Sequence, residues 1–308
     1  MHKSLIVFIF ITLPYFGISQ EITLEDIWLK GKYRAEYFNS INWATDGKSY
    51  TEFSQNTPEQ KASLKLYSVG SQTTKELLSL ANFPENFLVT DYILSSDQKT
   101  ILFSTDEEPI YRRSSVGNFY LYEISTGKLN PIHDLSKGKI SYASFAPNQN
   151  DIAFVRQNNL FIVNCKTFTE TQITFDGQFN FIINGATDWV YEEEFEFAKA
   201  FFWSPDSKNI VFYRFDETNV KQYTMQVWGE NYPTDYRYKY PKAGEENATV
   251  ELKLYSLETK KTTAIDQTQK GEKEYFPRVQ WTGNPAVLGY YRMNRLQNKV
   301  ELVHTNIQ

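Results

Sequence analysis

The sequence predicts an all-β fold, a partial β-propeller of about five blades, on three observations. A turn-and-strand unit recurs at a near-constant interval, apolar residues alternate with period two, and aromatic residues are abundant. The recurring unit is an aromatic or apolar residue, a turn rich in Ser, Pro, Asp or Gly, a polar residue, and then an alternating apolar strand. It reads Trp43-Ala44-Thr45-Asp46-Gly47-Lys48, then Leu94-Ser95-Ser96-Asp97-Gln98-Lys99, then Phe145-Ala146-Pro147-Asn148-Gln149-Asn150. The clearest copy is Trp203-Ser204-Pro205-Asp206-Ser207-Lys208, and a weaker one is Trp281-Thr282-Gly283-Asn284-Pro285. Turn positions 46, 97, 148, 206 and 283 are spaced by 51, 51, 58 and 77 residues. A period of about 50 residues with several short strands per unit is the signature of a propeller blade.

Period-two apolar runs follow most of the turns: Leu64-Lys65-Leu66-Tyr67, Phe119-Tyr120-Leu121-Tyr122, Leu160-Phe161-Ile162-Val163 and Leu252-Lys253-Leu254-Tyr255. A helical solenoid would instead show a period of about 3.6. Aromatics make up 16% of the 308 residues, with 23 Phe, 21 Tyr and 6 Trp, which favours strands and supplies a sizeable core. The last spacing implies an insertion of roughly 25 residues between Asp216 and Val250. It is dense in Tyr and charge, from Tyr232 to Pro241.

The first residues differ in kind. His2 and Lys3 precede an apolar run from Leu5 to Ile18, and Gly17 and Ser19 supply small residues at signal-peptidase spacing. Residues 1–19 read as a secretory signal peptide cut near Ser19 or Gln20, leaving a propeller region at 20–308. The run is too short for the roughly 20 residues of a spanning helix, so an uncleaved anchor is the weaker alternative, and no later run reaches membrane length. The protein is therefore expected to be exported: periplasmic, cell-surface or secreted. Without Lys3 the chain has 31 basic and 37 acidic residues, and this mild acidity argues against a nucleic-acid partner. The one cysteine, Cys165, excludes an internal disulfide and reads as a buried small apolar residue.

One segment breaks the repeat. Asp188-Trp189-Val190-Tyr191-Glu192-Glu193-Glu194-Phe195-Glu196-Phe197-Ala198-Lys199-Ala200 is the best helix candidate, capped by Thr187 or Asp188 with glutamates in its first turn. Structurally, that is a sufficient reason for the glutamates. Functionally, crowded carboxylates raise one another's proton affinity unless a cation intervenes, so the cluster suits a substrate ammonium. No His or Cys stands near to complete a metal site, no EF-hand spacing occurs, and no cofactor is expected.

Asp188 to Glu194 resembles the double-glutamate motif of the dipeptidyl peptidase IV family. Asn184-Gly185 and Trp203-Ser204-Pro205 fit the same alignment, and Tyr240-Pro241-Lys242-Ala243-Gly244 with Asn247 resembles a second family stretch. Ala248 stands where many members have proline. The resemblance implies an eight-bladed propeller on an α/β-hydrolase domain that releases N-terminal dipeptides with Pro or Ala second. It implies that Glu193 and Glu194 hold the peptide ammonium and that Glu192 is structural. Tyr111-Arg112-Arg113-Ser114-Ser115 matches a further family stretch, which puts a substrate-contacting arginine at Arg112, with Arg113 the adjacent alternative. It also implies that the 216–250 insertion is an arm that helps a full-length protein dimerise.

No Gly-x-Ser-x-Gly elbow occurs, and the only histidines are His2, His133 and His304. The Ser/Asp/His triad and the hydrolase domain are thus expected to be absent, with five of eight blades present. A truncated product or a piece of a longer protein fits this count, and by itself it is expected to be inactive, poorly soluble or oligomeric because an open propeller leaves strand edges unpaired. Two other readings stand beside this one: a non-catalytic exported propeller of the TolB type that binds proteins or peptides, and an inactive member of the peptidase family.

Overall fold

The computed structural model describes residues 21–35, 41–54, 63–79, 83, 87–267 and 274–307. The expected signal peptide, with His2, lies outside them. The chain divides into two compact units, Met1–Ile41 and Asn42–Gln308. In the first, a short helix α1 (Leu24–Trp28) is capped by the Thr23 hydroxyl, which accepts from the Asp26 amide at 3.1 Å.

The rest is built of antiparallel sheets in sequence order. The first contains β1 (Ile41–Trp43), β2 (Ser49–Ser54), β3 (Ser63–Ser68) and β4 (Thr73–Ser79). The second contains β5 (Val89–Leu94), β6 (Thr100–Pro109), β7 (Ser115–Glu123) and β8 (Lys128–Pro131). The third contains β9 (Ser141–Phe145), β10 (Asp151–Arg156), β11 (Asn159–Asn164) and β12 (Glu170–Gln172). The fourth has its first strand split into β13 (Ile182–Asn184) and β14 (Phe201–Trp203), with helix α2 (Trp189–Glu194) between them. Both pieces pair with β15 (Asn209–Asp216). A two-stranded arm follows, β16 (Gln222–Val227) with β17 (Thr234–Lys239), before β18 (Thr249–Ser256) and β19 (Lys261–Gln267) complete the sheet. The fifth is split in the same way: β20 (Glu274–Tyr275) and β21 (Val279–Trp281) both pair with β22 (Val287–Asn294), which pairs with β23 (Val300–Asn306).

Each recurring turn joins the first strand of a sheet to the second, and its chemistry is local. Asp46, Asp97, Asn148, Asp206 and Asn284 each accept from the backbone N–H two residues on, at 2.8–3.2 Å. Gly47, Gln98, Gln149 and Ser207 then take positive φ near 60°. In the fifth unit the turn residue is Asn284 rather than Gly283, and Pro285 follows where the others turn left-handed, a position its ring forbids. Neighbouring turns also touch: Gln98 Nε2 donates to Asp46 at 3.2 Å and the Asn148 amide to Ser207 Oγ at 2.9 Å.

The core lies between successive sheets. Middle strands send alternate side chains to opposite neighbours, which is why they read as continuous apolar runs. Ile152 and Phe154 of β10 pack toward the second sheet, while Ala153 and Val155 pack toward the fourth. Ile210 and Phe212 of β15 face the third sheet, and Val211, Tyr213 and Phe215 face the fifth. This is the expected all-β propeller-blade architecture, in five sheets.

The helix expected over 188–200 is shorter, ending at Glu194. Phe195 is buried and Phe197 packs beside it against the core at Tyr191 and Tyr213, which one continuing helical face would not allow. Glu196 takes φ +60° to turn the chain, and Ala186 bridges to Lys199 to close the insertion. Cys165 sits in the turn after β11, packed against the core, and burial pushes its thiol up to about 12, as an inert cysteine requires. His304 is exposed on β23, whereas His133, expected in a loop, is in a loop but buried.

Candidate functional site

The acidic helix is held from below and from the side. Asp188 caps α2, its side chain accepting from the Tyr191 amide at 2.9 Å. Tyr191 is fully buried, and its hydroxyl accepts from the Phe276 amide of the fifth sheet at 2.9 Å. The Tyr213 hydroxyl donates to the carbonyl of that same residue at 2.9 Å. These bonds seat the helix between the fourth and fifth sheets, because a buried phenol is stable only with a partner for its oxygen.

The arginine-bearing loop is the tip of the β6–β7 hairpin. That hairpin is long, and its pairing slips between Thr105 and Glu108, with Asp106 at φ +50°, a bulge that bends the tip. The Ile110 amide donates to the Ser114 carbonyl at 2.8 Å and closes the tip. Glu192, 1% exposed, then joins loop to helix: its Oε1 accepts from the Arg113 amide at 2.6 Å and the Ser114 amide at 2.9 Å. Residues about 80 positions apart in sequence are thereby fixed against one another.

Above this clamp lie the three expected site residues. Arg112 Nε stands 3.2 Å from Glu193 Oε2. The glutamate side chain is 19% exposed and the arginine 72%. Glu194 is exposed and makes no ion pair among the described residues. Arg113, the alternative, reaches the exposed Glu196 at 3.5 Å. The structure therefore brings Arg112 to Glu193 and leaves Glu194 exposed at the end of the same helix. An ion pair this exposed on one side is worth about 0–1 kcal/mol, so a competing cation can displace the guanidinium at little cost.

Sequence reasoning assigned Glu192 a structural part but could not identify what it bonds. It did not single out Glu217 or Tyr111. Glu217, at the end of β15, and Asp188 both line a cavity of about 400 Å³ behind the clamp, together with Tyr111, Thr187, Glu192 and Tyr236. Burial pushes Glu217 up to about 8, with the nearby Asp188 charge adding to it. Burial also holds Asp188 at about 7. No local pattern signals this pairing, since Asp188 and Glu217 lie on separate elements. Among the described residues no group of three or more His, Cys, Asp or Glu is placed to hold a metal ion. No helix among them is long and apolar enough to cross a membrane.

Sheets and insertion together define a blade-built propeller module with an acidic helix set into one blade. Residues 95–308 match the family described as the dipeptidyl peptidase IV (DPP IV) N-terminal region. A probable dipeptidyl peptidase 4 of Aspergillus fumigatus is 32% identical over 259 residues, covering 81% of this chain and 33% of that protein. Dipeptidyl peptidase 4 of Trichophyton rubrum is 30% identical over 278 residues, covering 87% of this chain and 34% of its own. The crystal structure of Porphyromonas gingivalis dipeptidyl peptidase 4 superposes with a TM-score of 0.84 at 35% identity, covering 94% of this chain and 41% of that one. A putative dipeptidyl aminopeptidase IV from Bacteroides ovatus, at 19% identity and a TM-score of 0.64, shares the fold. The chain belongs to the dipeptidyl peptidase IV family, in whose N-terminal region it lies. It spans about a third of the length of the curated relatives it matches.

Proposed function

We propose that this propeller region grips the free N-terminus of peptide substrates for a serine exopeptidase that releases X-Pro and X-Ala dipeptides. Glu193 and Glu194 bind the α-ammonium, and Arg112 orients a backbone carbonyl of the peptide through its forked donors. The observation that supports this most is the 3.2 Å approach of Arg112 to Glu193, across a loop and a helix that Glu192 locks together. Two carboxylates against one guanidinium leave a net charge of −1, which one ammonium neutralises.

The selectivity follows from length. An extended chain advances about 3.3–3.6 Å per residue, so an ammonium held roughly 7 Å from a nucleophile presents the second peptide bond. Binding energy at the terminus is converted into alignment at the scissile bond. The bond-breaking groups are not among these 308 residues, which contain no Gly-x-Ser-x-Gly sequence, so the region alone is not expected to hydrolyse peptides. Export across a membrane and pairing of full-length copies through the β16–β17 arm belong to the same proposal.

The test is steady-state kinetics on the protein expressed from its whole gene, with an X-Pro chromogenic substrate. Glu193→Gln and Glu194→Gln are each expected to lower kcat/KM at least tenfold, since a charge-assisted bond is worth about 1.5–3 kcal/mol. Unchanged kcat/KM in both variants contradicts the role. Absence of any turnover sensitive to a serine-directed inhibitor contradicts the enzyme assignment and favours a binding module.

A further inference from the structure

We propose that the β16–β17 arm is a positioning element for the amine grip, acting through a ladder of tyrosines that touches both the arginine loop and the acidic helix. This rests on the reading of Arg112, Glu193 and Glu194 as that grip.

The ladder follows from strand geometry. Tyr236, Tyr238 and Tyr240 are spaced by two, so their rings line one face of the arm. Tyr236 and Tyr238 stack at 5.5 Å, Tyr238 meets Tyr240 at 6.1 Å, and Tyr223 of β16 packs against Tyr238 at 6.2 Å and Tyr240 at 5.5 Å. The arm is thus a two-stranded ribbon with one aromatic face, while β16 is otherwise exposed.

The ladder ends on two residues that matter. The Tyr238 ring lies 5.7 Å from Tyr111, the residue before Arg112. Tyr111 and Tyr236 line the same cavity, and burial pushes the Tyr111 phenol up. The Tyr240 ring meets Trp189 edge-on at 4.3 Å. Trp189 opens α2 and lies four residues before Glu193, hence on the same side of the helix. One strand of the arm therefore braces both halves of the grip.

The arm itself is tied down at its root. Lys239 is buried, and its Nζ donates to the carbonyls of Val220 at 2.7 Å and Thr218 at 3.3 Å. Asn180 Nδ2 donates to the Arg237 carbonyl at 3.2 Å. A rooted ribbon can hold a loop tip whose buried anchor on the helix side is Glu192. Arg112 is largely exposed and its ion pair with Glu193 holds the guanidinium only weakly, so its placement depends on the backbone beneath it.

The test is a double-mutant cycle read as binding of the dipeptide Ala-Pro, which offers no second peptide bond to break. Calorimetry is run on the protein expressed from its whole gene. Tyr238→Ala is expected to weaken Ala-Pro about tenfold, the worth of one aromatic pair, and Tyr238→Phe to bind like the wild type. In an Arg112→Ala background, Tyr238→Ala is expected to add less than about twofold, because its effect runs through Arg112. Wild-type affinity for Tyr238→Ala, or fully additive losses, overturns the positioning role while leaving the grip intact. If Arg112→Ala and Glu193→Gln themselves bind Ala-Pro normally, the grip reading fails instead. Should Tyr238→Ala not fold, Tyr238→Leu, which keeps apolar bulk but removes the ring that meets Tyr111, carries the same cycle with an expected loss of about threefold.

Discussion

Replacing Glu192 by alanine isolates the clamp between loop and helix. The Ser114 amide is buried and loses its acceptor, a cost of about 1–3 kcal/mol, and the less buried Arg113 amide adds about 1 kcal/mol. Removing one buried methylene adds about 0.8 kcal/mol. The sum, about 3–5 kcal/mol, falls on the attachment of the β6–β7 tip rather than on the sheets. Opening of the tip should therefore become at least about a hundredfold more frequent. Limited trypsin digestion reads this directly, because Arg112 and Arg113 are themselves cleavage points at the tip. The expected result is cutting after one of them at least fiftyfold faster in Glu192→Ala, and at an intermediate rate in Glu192→Gln, which keeps one acceptor oxygen. Cutting of Glu192→Ala at the wild-type rate would show that the tip is held by something else, and the clamp argument would fall.

Two further expectations concern pH and have opposite signs. Glu217 titrates near 8 in the fold against 4.5 unfolded, so the fold retains the proton longer and stability declines as pH rises from about 4 to 8, by on the order of 4 kcal/mol. Glu217→Gln should flatten that decline in urea midpoints measured across the range; an unchanged slope contradicts the assignment. His133 is buried against Phe154, neither ring nitrogen has a hydrogen-bond partner among the described residues, and burial lowers its proton affinity. Its neutral form is the one the fold accepts, so its contribution is complete above about 6.5 and is lost as pH falls below that value. His133→Phe should stabilise the protein more at pH 5 than at pH 8, and equal shifts at both would count against this account. Lastly, Phe212 is fully buried between the third and fourth sheets, and Phe212→Ala should cost about 3–5 kcal/mol in equilibrium unfolding; a loss under 1 kcal/mol would mean the sheets do not pack as described.

The blade plan was legible because its determinants are local. An Asp or Asn that bonds the amide two residues on leaves the same trace wherever a first strand meets a second, and strands buried on both faces advertise themselves as apolar runs. The acidic motif was legible as a seven-residue resemblance. What could not be read was whatever depends on chain meeting chain. Nothing near Phe195 signals that α2 must stop there; the reason is the aromatic cluster around Tyr191, Tyr213 and Tyr275 that takes up Phe195 and Phe197. The glutamate triplet gave Glu192 no visible partner, since its bonds go to amides in another sheet. The tyrosine-dense insertion was recognised as an arm, yet its inner face against Tyr111 and Trp189 appears only once three sheets are assembled.

The central claim is that Glu193 and Glu194 recognise a positive charge at the peptide terminus. The most direct measurement compares Ala-Pro with N-acetyl-Ala-Pro for the wild type and for the Glu193→Gln/Glu194→Gln double variant, at a pH below the usual α-amine range of about 7.7–8.0. The account predicts that the wild type prefers the free amine by at least about a hundredfold and that the double variant loses most of that preference. Equal binding of the two peptides by the wild type, or an undiminished preference in the double variant, would contradict it.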